Sequence, residues 1–427
     1  MEVKTQNTYL TRNVEKIIER KLKTSGGVLV EGPKYCGKTT TCKKYAKSTF
    51  SLSGISNIEL ANTSPISVLQ GETPRLIDEW QNAPDLWNVG REEIDSRHDF
   101  GQFLFAGSST PADKSKIYHS GAGRFVKVAM KPMSLFESLE SNGQISLSSL
   151  FENGNQKIYA ANSCTTLQDI AFFICRGGWP MTIGKPREEA LEITENYCSA
   201  LFEFENTNNA AFRNKKASIF RLVLKTYARN ISTEARKATM MNDINEREGR
   251  MLDDETFSSY LEALRDLYIV EDIDAWSPNL RSKTAVITTP TRHFVDTSIA
   301  AGVLGINPND MLNDSHSFGY FFEDLAIRDL SIYTASLGGS ISHYRDSNGL
   351  ECDAIIHLKN GKYALVEIKL GSDEAINKAA DNLRRLAGKI MNAGLAGPTF
   401  MMILTAVGHA KTLDENTYVV PITMLKD

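Results

Sequence analysis

The sequence predicts a multi-domain α/β protein that opens with a parallel sheet covered on both faces. Short apolar runs alternate with helical stretches through the first quarter of the chain, which is the pattern of buried parallel strands. A glycine-bearing loop leaves the first of those runs. At 427 residues, the chain is also too long for one ordinary core, so two or three domains are expected.

The elements follow in order. Val14, Ile17, Ile18 and Leu22 recur at helical spacing, predicting a helix over Tyr9 to Lys23 that Gly26-Gly27 ends. Val28-Leu29-Val30 is a buried strand running into the loop, and Thr39 to Ala46 reads as the helix beyond it. Arg75 to Glu79 and Gln102 to Ala106 are two further apolar strands, the second ending in Gly107-Ser108-Ser109. Thr165 to Glu205 is helical, interrupted by Gly177-Gly178-Trp179-Pro180. From Ala217 the pattern stays helical until a short apolar strand, Leu267 to Val270. Asp253 or Asp254 can cap its last helix, and the order helix, turn, helix, strand suggests a winged-helix module. After Pro290 a helix over Gly319 to Leu330 precedes a strand, Gly339 to Arg345. Cys352 to Leu358 and Tyr363 to Lys369 then flank an Asn-Gly turn, a strong hairpin signal. A helix, Asp373 to Met391, and a strand, Thr399 to Leu404, follow.

Bulk chemistry narrows the function classes. Net charge is −4, so the chain as a whole presents no cationic field, and binding to nucleic acid would need a local basic patch. The six cysteines show no paired Cys-x-x-Cys spacing, which argues against structural zinc and for free thiols in a reducing compartment. The first residues lack the basic start and apolar run of a secretory leader, and no apolar stretch approaches about 18 residues. A cytoplasmic protein with no membrane partner is expected.

The loop Gly32-Pro33-Lys34-Tyr35-Cys36-Gly37-Lys38-Thr39 carries the most specific chemistry. Gly32 permits the tight turn, and Gly37 lets backbone N–H groups close on phosphate oxygens. Lys38 brings a point charge to the β and γ oxygens, Thr39 offers a hydroxyl to Mg²⁺, and Thr40 continues the helix whose N-terminal dipole faces the anion. Asp78 and Glu79 close the second strand: one carboxylate for the Mg²⁺ shell, the next to activate the attacking water, with Asp78 or Gln81 as alternatives for that role. ATP and Mg²⁺ are the expected cofactors.

Together with Ile77-Asp78-Glu79-Trp80-Gln81, Phe105-Ala106-Gly107-Ser108-Ser109, Gly123-Arg124-Phe125 and Gly177-Gly178-Trp179-Pro180, this loop resembles the prokaryotic AAA+ ATPases that end in a domain of unknown function 4143. The resemblance covers essentially the whole chain. It implies an AAA+ domain with a helical lid over 1–205, a winged-helix-like domain over 206–290 and a nuclease-like domain over 291–427. It also implies that Ser108 or Ser109 senses the γ-phosphate where the family more often has Asn, and that Arg124 reaches a neighbouring subunit's nucleotide in a homo-oligomer, with Arg97 as a second candidate.

The C-terminal strands add a second constellation. Glu367 and Lys369, two apart on one strand, share a face ~6.6 Å apart. The hairpin returns Asp353 beside them, a set able to bind Mg²⁺ and position a hydroxide for attack on a phosphodiester. Tyr344-Arg345, Glu351-Cys352-Asp353 and Val366 to Lys369 resemble the PD-(D/E)xK nuclease-like fold, in which Glu323 matches an additional acid. DNA or RNA is therefore an expected partner. The run Arg213, Lys215, Lys216, Arg221, Lys225 and Arg229 could touch phosphates, but the candidate recognition helix opens with Asp253-Asp254-Glu255, which disfavours a DNA groove. The other reading is a signalling or scaffolding ATPase whose C-terminal domain only binds a partner.

Overall fold

A computed structural model describes residues 9–111, 117–118, 120–152, 157–201, 215–277 and 289–427. Arg213 and the expected boundary at 205/206 lie outside the described residues.

The first module is built from α1 (Val14–Leu22), β1 (Gly27–Glu31), α2 (Lys38–Lys43), β2 (Ser48–Ser51), α3 (Ile55–Thr63), α4 (Pro65–Leu69), β3 (Arg75–Asp78), α5 (Leu86–Arg97), β4 (Phe103–Gly107) and β5 (Phe125–Ala129). Its five strands are all parallel, in the order β2-β3-β4-β1-β5. Strand alternation divides the burial cleanly. Val28, Val30, Leu76, Leu104 and Ala106 meet Val14, Ile18 and Cys42 on one face. Leu29, Ile77, Phe103, Phe105 and Phe125 meet Trp80, Trp87, Val68 and Leu69 on the other. Both faces are covered, as the near-continuous apolar runs predict. α1 starts later than expected: Tyr9 to Arg12 is an extended lead-in, tied down by side-chain bonds described below.

The chain continues through β6 (Ile145–Ser146), α6 (Leu147–Glu152), β7 (Tyr159–Asn162), α7 (Leu167–Arg176) and α8 (Arg187–Ala200). Next come α9 (Ala217–Arg229), α10 (Lys237–Glu248), α11 (Asp254–Asp266), β8 (Val270–Ile273) and β9 (Thr291–Phe294), the last two paired antiparallel. The last part holds α12 (Thr297–Leu304), α13 (Pro308–Asn313), α14 (Ser315–Ser336), β10 (Ser340–Arg345), β11 (Glu351–His357), β12 (Tyr363–Lys369), α15 (Asp373–Asn392), β13 (Phe400–Thr405), β14 (His409–Asp414), β15 (Thr417–Pro421) and β16 (Leu425–Lys426). Asn360-Gly361 turns the β11–β12 hairpin as expected, with Gly361 at φ 84°.

The second sheet is mixed, in the order β10-β11-β12-β13-β15-β14-β7. β7 belongs to the region expected to complete the first domain, yet it pairs antiparallel with β14, and β6 pairs with β16 at the far C-terminus. One apolar cluster runs from Leu135 through Ile170, Phe220, Phe257 and Leu325 to Leu425. The expected divisions at 205/206 and 290/291 are thus crossed by sheet pairing and by a shared core. Pattern reading registers periodicity within elements, and it carries no signal for strands that pair across such separations. No helix of the described residues is long and apolar enough to cross a membrane. All six cysteines are free.

A buried charge network ties these parts together. Arg328 on α14, fully buried, pairs with Asp296 at 2.8 Å and with its neighbour Asp329 at 2.8 Å. Asp296 also accepts from Gly178 N (2.9 Å), and Asp329 from Leu135 N (2.8 Å). Removing Arg328 would strand two buried carboxylates. Arg328→Gln is therefore expected to lower the unfolding free energy by ~3–5 kcal/mol in urea titration, whereas Arg384→Gln, breaking a surface pair with Asp414, should cost under ~1 kcal/mol.

Candidate functional site

The loop after β1 lies at the C-terminal edge of the parallel sheet, between β4 and β5, where open α/β sheets place their ligands. Gly37 takes φ 100°, which only glycine adopts without strain, and a side chain at Gly32 would lie 2.0 Å from the Met130 carbonyl. α2 begins at Lys38, so its first N–H groups face the loop. The Lys38 ammonium donates to the carbonyls of Gly32 (2.9 Å) and Pro33 (2.7 Å), which folds it over the loop. Cys36 is buried, its Sγ 3.5 Å from Met130 O. Lys34, Tyr35 and Thr40 are exposed. The Tyr35 ring stands edge-on to Tyr197 of α8, so the helical region following Trp179 overhangs the loop.

Asp78 ends β3, next to β4 and one strand removed from β1. Thr39 Oγ1 donates to Asp78 Oδ1 at 2.8 Å. Burial pushes the Asp78 carboxyl above its ordinary range, with the Thr39 bond opposing that shift and the Glu79 charge adding to it. These two hard oxygen donors suit Mg²⁺. Glu79 has left-handed backbone geometry (φ 57°), which swings it out of the strand line. Its carboxylate accepts from Ser108 Oγ (3.1 Å) and from the Gln81 side chain, and Gln81 is 3.4 Å from Ser108. Ser108 and Ser109 are both buried, and it is Ser108 that contacts Glu79.

Arg124 is not brought to this end. It precedes β5, whose first residue aligns with Gly27 at the start of β1, so it sits at the opposite edge of the sheet, paired with Asp95 at 2.8 Å. Arg97 ends α5 and pairs with Glu93. Neither can serve the nucleotide loop of its own chain. The arginine at the loop is Arg12, which no motif distinguishes from the other cations of a helix lead-in.

In the second sheet, Ala354 pairs with Val366, so Asp353 faces Glu367 across the β11–β12 ladder. The Lys369 ammonium lies 2.9 Å from Asp353 and 2.7 Å from Glu367. Asp353 also accepts from Ile368 N (2.7 Å), and Glu367 from Asn382 of α15 (2.6 Å), a residue the sequence pattern did not flag. Burial, reinforced by the Asp353 charge, pushes Glu367 up to about 8. Glu323 rises too, through burial and the same Asp353 charge. Burial alone would lower the Lys369 ammonium, but the Asp353 and Glu367 carboxylates hold it well above its ordinary range. Glu323 and Asp353 line one cavity of about 200 Å³ with Glu234, His343 and Arg345. The four predicted residues therefore converge. Among the described residues no group of three or more His, Cys, Asp or Glu stands together as a metal site, and two of the three carboxylates expected to hold a metal, Asp353 and Glu367, contact Lys369. The ammonium of Lys369 takes the position between two carboxylates that a cation would need.

Three family models match successive stretches: an AAA domain over 25–139, a domain of unknown function 8612 over 167–310, and a domain of unknown function 4143 over 318–425. The chain carries an AAA domain followed by a domain of unknown function 4143. Uncharacterized proteins of Mycobacterium tuberculosis and Mycobacterium bovis are each 23% identical over 371 residues, spanning 85% of this chain and 74% of theirs. A Walker-type ATPase of Pyrococcus abyssi aligns over 70% of this chain and 97% of its own at 12% identity, with a TM-score of 0.45. In this AAA protein the nucleotide loop falls within the AAA match, and the Asp353–Glu367–Lys369 cluster within the 4143 match.

The raised Glu367 has a measurable consequence. Its folded state holds a proton that the unfolded chain releases near the ordinary 4.5, so its stabilising contribution is full below that value and is lost as pH rises to about 8. The urea midpoint is expected to fall across that window, and Glu367→Gln should flatten the fall. An equally steep decline in the variant would assign the proton elsewhere.

Proposed function

We propose that this AAA protein binds Mg²⁺·ATP in the loop after β1 and hydrolyses it, and that its C-terminal sheet is a PD-(D/E)xK-like module acting on nucleic acid under control of that cycle. The observation that carries the ATPase reading is the Thr39–Asp78 hydrogen bond with Glu79 held one residue away by Ser108. Loop N–H groups and Lys38 bind the β- and γ-phosphates, and Thr39 with Asp78 would hold the Mg²⁺ that neutralises them. Glu79 takes the proton of the attacking water. Ser108 and Gln81 hold its carboxylate in place, and Ser108 is well sited to sense the γ-phosphate. Arg124 would act only on a neighbouring subunit's nucleotide, in a homo-oligomer. Free thiols fit a cytoplasmic setting.

Two observations favour a second reading of the C-terminal half, as a partner-binding module without cleavage. Lys369 pairs with both Asp353 and Glu367, and no group of three or more His, Cys, Asp or Glu that could hold a metal is found among the described residues. α9 to α11 with the β8–β9 hairpin support a winged-helix-like middle. Its acids weigh against a duplex groove: Arg229 is paired with Asp243, and α11 carries Asp254 and Glu255 in its first turn.

Lys38→Ala is expected to abolish binding of a fluorescent ATP analogue, and retained affinity would end the assignment. Glu79→Gln should still bind ATP while single-turnover hydrolysis slows at least ~100-fold. For the C-terminal module, Mg²⁺ or Mn²⁺ should support nicking of DNA or RNA that Asp353→Ala stops. Nucleic acid that stimulates ATP turnover without being cut would select the binding reading.

A further inference from the structure

Arg12 stands just before α1, almost fully buried, where four polar contacts fix it. Its Nη1 donates to the carbonyl of Cys36 at 2.8 Å, and its Nη2 to the carbonyl of Lys131 at 2.8 Å. Its Nε lies 3.3 Å from Glu137 Oε2, and its own backbone N–H donates to Glu15 Oε1 at 2.7 Å. Cys36 is the residue before Gly37 in the phosphate-binding loop. A peptide unit is planar and trans, so its carbonyl and N–H point in opposite directions. Gripping the Cys36 carbonyl from behind therefore aims the Gly37 N–H into the loop, where phosphate oxygens are bound. Gly37, free to rotate at φ 100°, is the place where this orientation is least fixed by the backbone itself.

We propose that Arg12 is a positioning residue for nucleotide phosphates: its guanidinium holds the Cys36–Gly37 peptide with its N–H facing the ligand. Lysine or glutamine could not reproduce the arrangement, because the guanidinium reaches the two carbonyls from two separate nitrogens held in one plane, with a third turned toward a carboxylate. The lead-in segment does not depend on this side chain for its place. Tyr9 bonds Glu15 (2.8 Å) and Thr41 (3.0 Å), Tyr45 bonds Glu15 (3.1 Å), and Lys44 pairs with Glu15. Glu137 in turn keeps the N–H groups of Asn13 (2.6 Å) and Ser134 (2.9 Å) when Arg12 is changed. Loss of the side chain is thus a local change behind the loop, which takes the donor from the Cys36 and Lys131 carbonyls and the cation from the buried Glu137.

The inference rests on the nucleotide-site reading, and its test separates the two. Full-length wild type, Arg12→Gln, Glu137→Gln and the double variant are titrated with Mg²⁺·ADP, with adenosine as a phosphate-free competitor, alongside urea midpoints. In the double variant, where no buried carboxylate is stranded, the ADP Kd is expected to rise about tenfold over that of Glu137→Gln, the scale of one charge-assisted hydrogen bond, with the adenosine inhibition constant little changed; the urea midpoint should fall in both, because a glutamine amide can accept only one of the two N–H groups that Glu137 holds. Glu137→Gln alone, which keeps the Arg12–Cys36 bond, should stay within about twofold of wild type, far short of the effect of one charge-assisted bond. An unchanged ADP Kd in the double variant overturns the proposal, as does an equal loss for ADP and adenosine, which would mark a structural role. An equal loss in Glu137→Gln overturns it by assigning the effect to the ion pair. Failure of wild type to bind ADP would instead remove the nucleotide site itself.

Discussion

The structure depends most on one buried cation. Arg328, deep in α14, can lie out of water only because Asp296 and Asp329 both face it. Each carboxylate also accepts a backbone N–H from a segment outside α14, Gly178 for Asp296 and Leu135 for Asp329, and Asp296 takes the N–H and hydroxyl of Ser298 as well. Trp179 donates to Ser298, and Pro180 packs 3.5 Å from the Cβ position of Gly37. The arrangement makes the position of α14 and the rear wall of the phosphate loop two ends of one satisfied network. The same helix carries Glu323, beside Asp353 in the second sheet. A displacement at either end must therefore be compatible with keeping Arg328 paired, since an unpaired buried charge is far costlier than a shifted loop.

The two polar sites solve opposite electrostatic problems. At the loop, positive and partial-positive groups converge: the Lys38 ammonium and the N-terminus of α2. Asp78 and Glu79 add negative charge nearby but are each held by a donor, Thr39 and Ser108. In the second sheet, acids outnumber the cation. Asp353, Glu367 and Glu323 surround Lys369, and the excess is met by keeping a proton, which is why Glu367 and Glu323 rise. A divalent cation entering there would compete with the ammonium for both carboxylates.

What could be read from the sequence was what is local. Gly32 to Thr39 announces itself because each position has its own geometric or chemical demand. Asp78 and Glu79 are legible because they end an apolar strand. Asp353, Glu367 and Lys369 were placed together by strand period and an Asn-Gly turn alone, and the register aligns them. Arg12, Glu137, Asn382 and Arg328 were not legible. Each acts across a sequence gap, on a carbonyl or carboxylate whose position only the fold determines, and none sits in a periodic or spaced motif. Arg124 shows the converse: a motif gave it a role, but its place at the start of β5 sets it at the far edge of the sheet from its own loop. At the C-terminal cluster, spacing likewise fixes which residues meet but not which of them the ammonium will claim.

The pairing of β7 with β14 has a consequence for how the molecule comes into being. β7 is made early, and its partner leaves the ribosome late: the bond from Ile158 to Thr412 spans 254 residues. For most of its synthesis the chain carries an edge segment with no strand beside it, and β6 likewise waits for β16 at the last residues. Unpaired edges are templates for the wrong neighbour. The parallel sheet of the first module, with all its strands in hand by residue 129, can close during translation long before the last strands of the second sheet are made. The part of the protein that depends on α14 is therefore made after the first module, and growing chains pass through a stage in which a formed nucleotide loop lacks the network behind it.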